Sequence, residues 1–231
     1  MKNALDFLAT LRDNNTKEWF DLHRSEWKKV QADFNAFAEE LIEGIASFDS
    51  SVQGLTIRDC TYRLHRDTRF SLNKTPYKTH MGVYIAPKGK KSGYAGYYFH
   101  LEPEGGDFIG SNSLSTGLYM SEPPILRSVR DEIFDNGDQI LSAIKKSGGF
   151  VLNTESKLKR TPRGFPADSK FDELLKQKNL IITKSVPNSF MLSDNLLQNT
   201  LAEFKKTTPF LTIVNKAVQY GYEEMMGKDS L

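Results

Sequence analysis

The chain has 231 residues, and its 31 Lys and Arg nearly balance its 29 Asp and Glu. The hydrophobic content of 39% is typical of a globular protein and excludes a disordered or collagenous chain. A single cysteine, Cys60, excludes an internal disulfide and a cysteine-based zinc site. No apolar run approaches the ~18 residues of a membrane span, and the first residues lack the pattern of a signal peptide. We therefore expect a soluble, cytoplasmic protein without a membrane partner, built as a single domain over residues 1–231.

The N-terminal fifth of the chain has the apolar spacing of helices. A short helix is predicted around Leu5, Leu8 and Leu11. A long helix is predicted after it, because apolar residues recur at three- and four-residue steps, at Trp27, Val30, Phe34, Phe37, Leu41, Ile45 and Phe48. This stripe is about two turns longer than a typical globular helix, so we expect the helix to pack across a sheet.

The middle of the chain has the alternation of strands. Residues 79–87 and 95–102 flank a loop rich in Gly, Lys and Ser that is typical of a hairpin. Side chains switch faces with a period of two, so the apolar face carries Met81, Val83, Ile85, Tyr97, Phe99 and Leu101. The opposite face then carries His80, Tyr84, Tyr98, His100 and Glu102. Residues 56–65 alternate in the same way and are predicted as a strand, and residues 107–112 as one more short strand.

From Ser121 onward the pattern is mainly helical. Ser121 is a candidate N-cap followed by prolines, and Thr208-Pro209 marks another helix start. The predicted elements are helices over 123–135 and 138–147, a short helix near 168–178, a strand over 180–184, and helices over 190–206 and 208–226. We therefore predict an α+β fold, in which a central, mostly antiparallel sheet is packed by the long N-terminal helix and a C-terminal helical group.

The charges are unevenly distributed along the chain. Residues 58–91 contain nine Lys and Arg and two Asp, a local charge of +7. Residues 101–138 contain eight acids and two Arg, a local charge of −6. Such asymmetry indicates either an anion-binding face or two surfaces that pair with each other, and the sequence does not distinguish the two.

The densest group of candidate ligand-binding side chains comprises Arg63, Arg66, Arg69, Asn73, Lys74 and Tyr77. Guanidinium groups match carboxylate and phosphate oxygens with two parallel hydrogen bonds, which lysine does not do. The first half of this segment is expected at a strand end and the second half in a turn, so several donors are predicted to converge on one anion. Asp67 is expected to be a buried acid that orients Arg66 or Arg69, or to act as a base. The alternative is an ion-pair network that pins an irregular loop to acids within 101–138.

The segment RLHRDTRFSLNKTPYKTH resembles the defining pattern of a widespread bacterial family, catalogued as domain-of-unknown-function family 2461. The positions of that pattern correspond to Arg63, Arg66, Asp67, Arg69, Phe70, Asn73, Lys74 and Tyr77. The surroundings are also similar to the family, at residues 14–24, 77–82, 96–103 and 158–166. The resemblance covers most of the chain and implies family membership, but it implies no mechanism.

Histidines form the second group of candidates. His80, His100 and Glu102 fall on the polar face of the predicted hairpin, and His65 falls on the face shared with Arg63. Histidine titrates near neutral pH and suits general acid–base catalysis, and it is also a common metal ligand. A strand face that is simply solvated is the third alternative. We retain a catalytic candidate set without a metal site: His80, His100, Glu102 and Asp67.

Three functions remain open. The favoured one is recognition of a phosphate- or carboxylate-bearing small molecule by the Arg, Lys and Tyr side chains of residues 63–77, with hydrolase or transferase activity if a histidine moves a proton. The second is a nucleic-acid-binding module with Tyr62, Phe70 and Tyr77 as stacking groups, although a pI of about 8.5 is low for such a domain. The third is a structural or interaction protein. The sequence indicates neither a cofactor nor an oligomeric state.

Overall fold

A central antiparallel sheet organises the protein, whose computed structural model describes residues 1–228. Within this range the sheet has five strands, which are β1 (Met81–Ile85), β2 (Gly96–Leu101), β3 (Ser113–Leu118), β4 (Val151–Leu152) and β5 (Leu180–Ser185). Their spatial order is β1-β2-β3-β5-β4, and every neighbouring pair is antiparallel. The predicted α+β class, with its antiparallel sheet, is therefore confirmed.

Helices precede, connect and follow the strands. They are α1 (Lys2–Asp13), α2 (Lys17–Leu22), α3 (Arg24–Ala46), α4 (Ile57–Cys60), α5 (Pro123–Lys145), α6 (Asp172–Leu175), α7 (Asn188–Met191) and α8 (Leu196–Lys228). Helix α3 is the predicted long helix, and its apolar stripe buries Trp27, Phe34 and Leu41. Helix α6 and strand β5 correspond to the short helix and the strand that were predicted after residue 168.

The hydrophobic core lies between the sheet and the helices α3 and α8. The register of β1 and β2 pairs Val83 with Phe99 and Ile85 with Tyr97, so the predicted parity of the core face is confirmed. Phe37 of α3 lies 4.9 Å from Phe99, measured between ring centroids. Because this face is filled by helices, the polar side chains of β1 and β2 are directed to the opposite face, which we call the outer face.

The prediction of a strand over residues 56–65 is wrong. Residues Ile57–Cys60 form helix α4, because the Asp59 carboxylate accepts hydrogen bonds from the backbone N–H and the hydroxyl of Thr56, at 2.8 and 2.7 Å. This capping box fixes a helical turn where alternation alone suggests a strand. Thr61 then makes an isolated bridge to Val83, so the chain after α4 runs beside the edge strand β1.

The predicted short strand over residues 107–112 is also wrong. These residues form a loop, in which three consecutive backbone N–H groups donate to the side chain of Glu102 rather than to a neighbouring strand. The strand that follows, β3, begins at Ser113. A buried acceptor thus takes the hydrogen bonds that a sheet ladder would otherwise use.

The predicted break between helices over 123–135 and 138–147 is confirmed as a kink in α5, at Asn136, whose backbone angles (φ −128°, ψ 23°) are not helical. The break predicted between helices over 190–206 and 208–226 is wrong. The short helix α7 covers Asn188–Met191, and α8 begins at Leu196 and continues through Pro209. Buried residues lie on both sides of this proline, at Phe204, Phe210, Leu211 and Val214. Packing therefore outweighs the one hydrogen bond that proline removes.

In the part of the chain that the structure describes, no helix combines the length and the apolar character needed to cross a membrane.

Candidate functional site

The arginine-rich segment folds as a small hairpin beside the edge of β1. Backbone hydrogen bonds join Arg66 N–H to the Pro76 carbonyl and Lys78 N–H to the Leu64 carbonyl, both at 2.9 Å. An isolated bridge between His65 and Tyr77 lies between them. The residues from 67 to 75 therefore form the loop of this hairpin, and the side chains on its two arms lie close to β1.

The loop of the hairpin is held by its own side chains. The Asn73 side-chain oxygen accepts hydrogen bonds from the backbone N–H and the hydroxyl of Thr75, at 2.9 and 2.8 Å. The same hydroxyl accepts a hydrogen bond from an Nη of Arg66, and Lys74 donates to the Thr68 carbonyl. Three predicted ligand-binding residues thus have partners within the loop, which they shape.

Asp67 is not a buried acid, so that expectation is wrong. Its carboxylate forms a two-pronged ion pair with the guanidinium of Arg69, at 3.0 and 2.7 Å, and the side chains are 46% and 76% exposed respectively. Arg69 lowers the pKa of Asp67 to about 2, first through this side-chain hydrogen bond. Because both side chains are exposed, the ion pair between Asp67 and Arg69 lies on the surface of the loop.

Tyr77 anchors the hairpin to the N-terminal helices. Its ring is 3% exposed and stacks on Phe20 of α2 at 4.2 Å, and the His65 ring meets it edge-on at 5.0 Å. The amide side chain of Asn15 pairs with the backbone N–H and carbonyl of Tyr77, at 3.1 and 3.0 Å. The buried environment makes Tyr77 a structural anchor, and His65 packs with it rather than with the other candidate histidines.

His80, His100 and Glu102 come together on the outer face. The rings of His80 and His100 have centroids 5.1 Å apart, as the shared parity predicts. The loop after β2 folds over them, and its Phe108 stacks on His80 at 4.4 Å. His100 and Glu102 are 0% exposed, so a solvated strand face is excluded for these two residues.

A hydrogen-bonded chain of three side chains, which we call the relay, crosses this face. The hydroxyl of Tyr98 lies 2.9 Å from Nδ1 of His100, and Nε2 of His100 lies 3.0 Å from the Glu102 carboxylate. The carboxylate accepts three further hydrogen bonds, from the backbone N–H groups of Phe108, Ile109 and Gly110. An ionised carboxylate only accepts, so Nε2 carries a hydrogen, and in a neutral ring Nδ1 then accepts from Tyr98.

The pKa values on the outer face follow from burial and these bonds. Burial by itself raises the pKa of Glu102, but the hydrogen bonds from His100 and the three backbone N–H groups outweigh burial and lower the pKa to about 2. Burial, together with the neighbouring His100, lowers the pKa of His80 to about 4. Burial raises the pKa of the Tyr98 hydroxyl. At neutral pH the site therefore contains a carboxylate, an uncharged His80 and a protonated phenol.

The relay ends at a cleft between helix α3, the first arm of the hairpin and the edge of β1. The cleft has a volume of about 90 Å³, and its polar lining includes Gln31, Asn35, Thr61, Tyr62, Arg63, Lys78, His80 and Tyr98. Gly82 lies in its floor, where a Cβ atom would come within 2.6 Å of the Tyr98 hydroxyl. Glycine at this position therefore leaves the space in which the phenol reaches His100.

Two cations of the hairpin arms, Arg63 and Lys78, line this cleft. Burial lowers the pKa of Lys78, and Arg63 and Arg66 lower it further. Lys78 and Arg66 also contribute to the lowered pKa of His80. The Arg66 guanidinium itself donates to the Thr75 hydroxyl in the loop and is not part of the lining. The positive charges of Arg63 and Lys78 in the lining are stabilised by an anion.

The arrangement includes residues that sequence reasoning did not select. Tyr98 and Lys78 were not among the candidates, and neither were the backbone N–H groups of residues 108–110. The alternate spacing of Tyr98, His100 and Glu102 along a strand is a pattern from which the relay follows, because all three side chains share one face. Among residues 1–228, no group of three or more His, Cys, Asp or Glu side chains is arranged to hold a metal ion.

The chain matches the protein-family model described as Conserved hypothetical protein (DUF2461) over residues 3–212. No curated protein and no solved structure matches it. The description of the family assigns no activity.

Proposed function

The chain belongs to the DUF2461 family of conserved hypothetical proteins, and we propose from its site that it binds a phosphate- or carboxylate-bearing small molecule in the cleft. The bound molecule undergoes proton transfer through the relay, as in a hydrolase or transferase. The observation that carries the proposal is the meeting of two features at one place. The relay of Tyr98, His100 and Glu102 ends at the cleft, where Arg63 and Lys78 supply positive charge.

The relay has the arrangement of an activated side chain. A reactive group within hydrogen-bonding reach of a base, with the base oriented by a third group, is the general pattern of nucleophilic and acid–base catalysis. Tyr98 is the reactive group, His100 the base and Glu102 the orienting carboxylate, at 2.9 and 3.0 Å. Three backbone hydrogen bonds fix Glu102 and therefore fix the ring of His100.

The cations support an anionic ligand. Arg63 and Lys78 line the cleft, and Arg66 lies close enough to perturb both Lys78 and His80. Guanidinium and ammonium groups bind phosphate and carboxylate oxygens by charge-assisted hydrogen bonds. Asn73, Lys74 and Tyr77 act indirectly in this proposal, because they hold the hairpin that positions the arginines.

A titration with inorganic phosphate and with acetate tests the proposal. NMR follows the imidazole signals of His80, and we expect a bound anion to raise the pKa of His80 from about 4. Lys78→Gln is expected to weaken binding roughly tenfold or more, the cost of one charge-assisted hydrogen bond. Lys91→Gln is the matched control, because Lys91 is an exposed lysine of the β1–β2 loop. The proposal would be refuted if neither phosphate nor acetate bound, or if Lys78→Gln and Lys91→Gln weakened binding equally.

A further inference from the structure

The chemistry of the relay narrows the substrate class further. We infer that Tyr98 is the nucleophile of a phosphoryl-transfer reaction, and that the substrate is a phosphate ester whose phosphoryl group enters the cleft. This inference rests on the proposed function, since it requires an anion to bind beside Arg63 and Lys78. It adds the reacting atom, which is Oη of Tyr98, and a covalent intermediate.

The position of Tyr98 allows attack on a bound group. Its hydroxyl is hydrogen-bonded to His100. It also lies over Gly82, which has no side chain and lines the cleft together with Tyr98. His100 itself is fully buried, so a ligand in the cleft meets Oη of Tyr98 and not the ring of His100. The phenol is therefore the member of the relay that reaches the reacting atom.

The electrostatics favour a phosphate ester over a carboxylic ester. Acyl transfer needs N–H donors aimed at a developing oxyanion. In the loop that covers the site, the backbone N–H groups of Phe108, Ile109 and Gly110 all donate to Glu102. The cleft instead contains two cations, Arg63 and Lys78, beside neutral polar side chains, and cations stabilise the equatorial oxygens of a phosphoryl group in transfer.

The size of the cleft agrees with this class. Its volume is about 90 Å³, whereas pockets that enclose a whole drug-sized ligand have ~300–1,000 Å³. The cleft therefore accommodates a group of the size of a phosphoryl group, and the rest of the ester lies outside it.

The reaction balances with water as the co-reactant. Oη of Tyr98 forms a bond to phosphorus, the ester P–O bond breaks, the phenolic proton passes to Nδ1 of His100, and the leaving oxygen takes a proton from water. In the second half, water attacks phosphorus and loses a proton to solvent. The bond between Tyr98 and phosphorus breaks, and Oη recovers its proton from His100. Glu102 stabilises the imidazolium that forms between the two halves.

The test uses para-nitrophenyl phosphate as a monoester and bis(para-nitrophenyl) phosphate as a diester. We expect release of nitrophenol from one of them, and intact-mass analysis after an acid quench should find a phosphoryl adduct on Tyr98. A phosphotyrosyl ester survives acid, whereas a phosphohistidine does not, so the quench distinguishes Tyr98 from His80. The substrate that labels the protein assigns the monoester or the diester class.

Tyr98→Phe is expected to abolish the adduct and to lower the rate at least about a thousandfold. Tyr84→Phe is the matched control on the same face, because its hydroxyl donates to the Tyr94 and Gly117 carbonyls and not to the relay. It should keep both the adduct and the rate. Activity that survives Tyr98→Phe, or an adduct on another residue, would overturn the inference.

Inorganic phosphate is titrated on the same samples. Phosphate binding without turnover and without an adduct overturns the nucleophile and leaves the proposed function standing. If the protein neither binds inorganic phosphate nor hydrolyses either ester, both the nucleophile and the proposed function are overturned.

Discussion

Replacing Glu102 by glutamine should destabilise the protein by about 3 kcal/mol at pH 7. The folded protein lowers the pKa of this carboxyl from 4.5 to about 2, and each unit of such a shift corresponds to ~1.4 kcal/mol. An independent route gives the same size, since removing one partner of a buried, hydrogen-bonded charge costs ~3–5 kcal/mol. Glutamine also places an amide N–H₂ among three N–H donors that need an acceptor.

The pH dependence identifies the cause of this loss. Because the pKa of Glu102 is lower in the folded than in the unfolded state, its stabilisation is complete above about pH 4.5 and is lost as the pH falls towards about 2. The gap between wild type and Glu102→Gln should therefore shrink from about 3 kcal/mol at pH 7 to about 1 kcal/mol at pH 3.

Denaturant unfolding at pH 7 and pH 3 measures the two gaps. Glu104→Gln is the matched control, since Glu104 is an exposed carboxylate two residues further along the same loop, and it should change the stability by less than ~0.5 kcal/mol. A gap that is the same at both pH values, or equal effects of the two variants at pH 7, would refute the argument that a buried carboxylate holds this loop.

Two further substitutions test the cleft and the hairpin. Gly82→Ala places a Cβ atom within 2.6 Å of the Tyr98 hydroxyl, so we expect an overpacking cost of ~1–3 kcal/mol, seen as a lower melting temperature, together with loss of para-nitrophenyl phosphate turnover. A variant that melts lower but keeps full turnover would separate Tyr98 from the reaction. Asp67→Asn removes one side of an exposed ion pair with Arg69, and exposed pairs contribute little to stability, so its thermal melt should nearly coincide with that of the wild type. A large loss of stability would mean that the pair organises more of the hairpin than its exposure indicates.

The grouping of His80, His100 and Glu102 was predictable because it depends only on periodicity. Alternate residues of a strand share a face, and the apolar partners of these residues fix which face is buried against the helices. The register of β1 and β2 follows from the same constraint, since a slip by one residue would expose Val83 and Phe99. The long helix α3 was predictable for the same reason, because its apolar stripe has to meet the sheet.

The arrangement of the arginine-rich hairpin could not be predicted from residue periodicity. Composition indicates that Arg66, Asp67 and Arg69 belong to one polar segment, but it does not indicate which of them is buried. Asp67 and Arg69 pair with each other on the loop surface, whereas Glu102 is the acid that the fold buries. Burial of an acid depends on what packs over it, and that cover comes from the loop after β2.

The sequence by itself determined the class of the fold, the core face of the sheet and the side on which the polar side chains lie, because those follow from periods of two and 3.6 residues. Only the tertiary structure decided that three backbone N–H groups converge on Glu102 and that the hairpin brings Arg63 and Lys78 to the same cleft as Tyr98. Each of these contacts joins segments whose approach is set by loop closure. Such distances depend on the whole packed molecule, and no local pattern of residues encodes them.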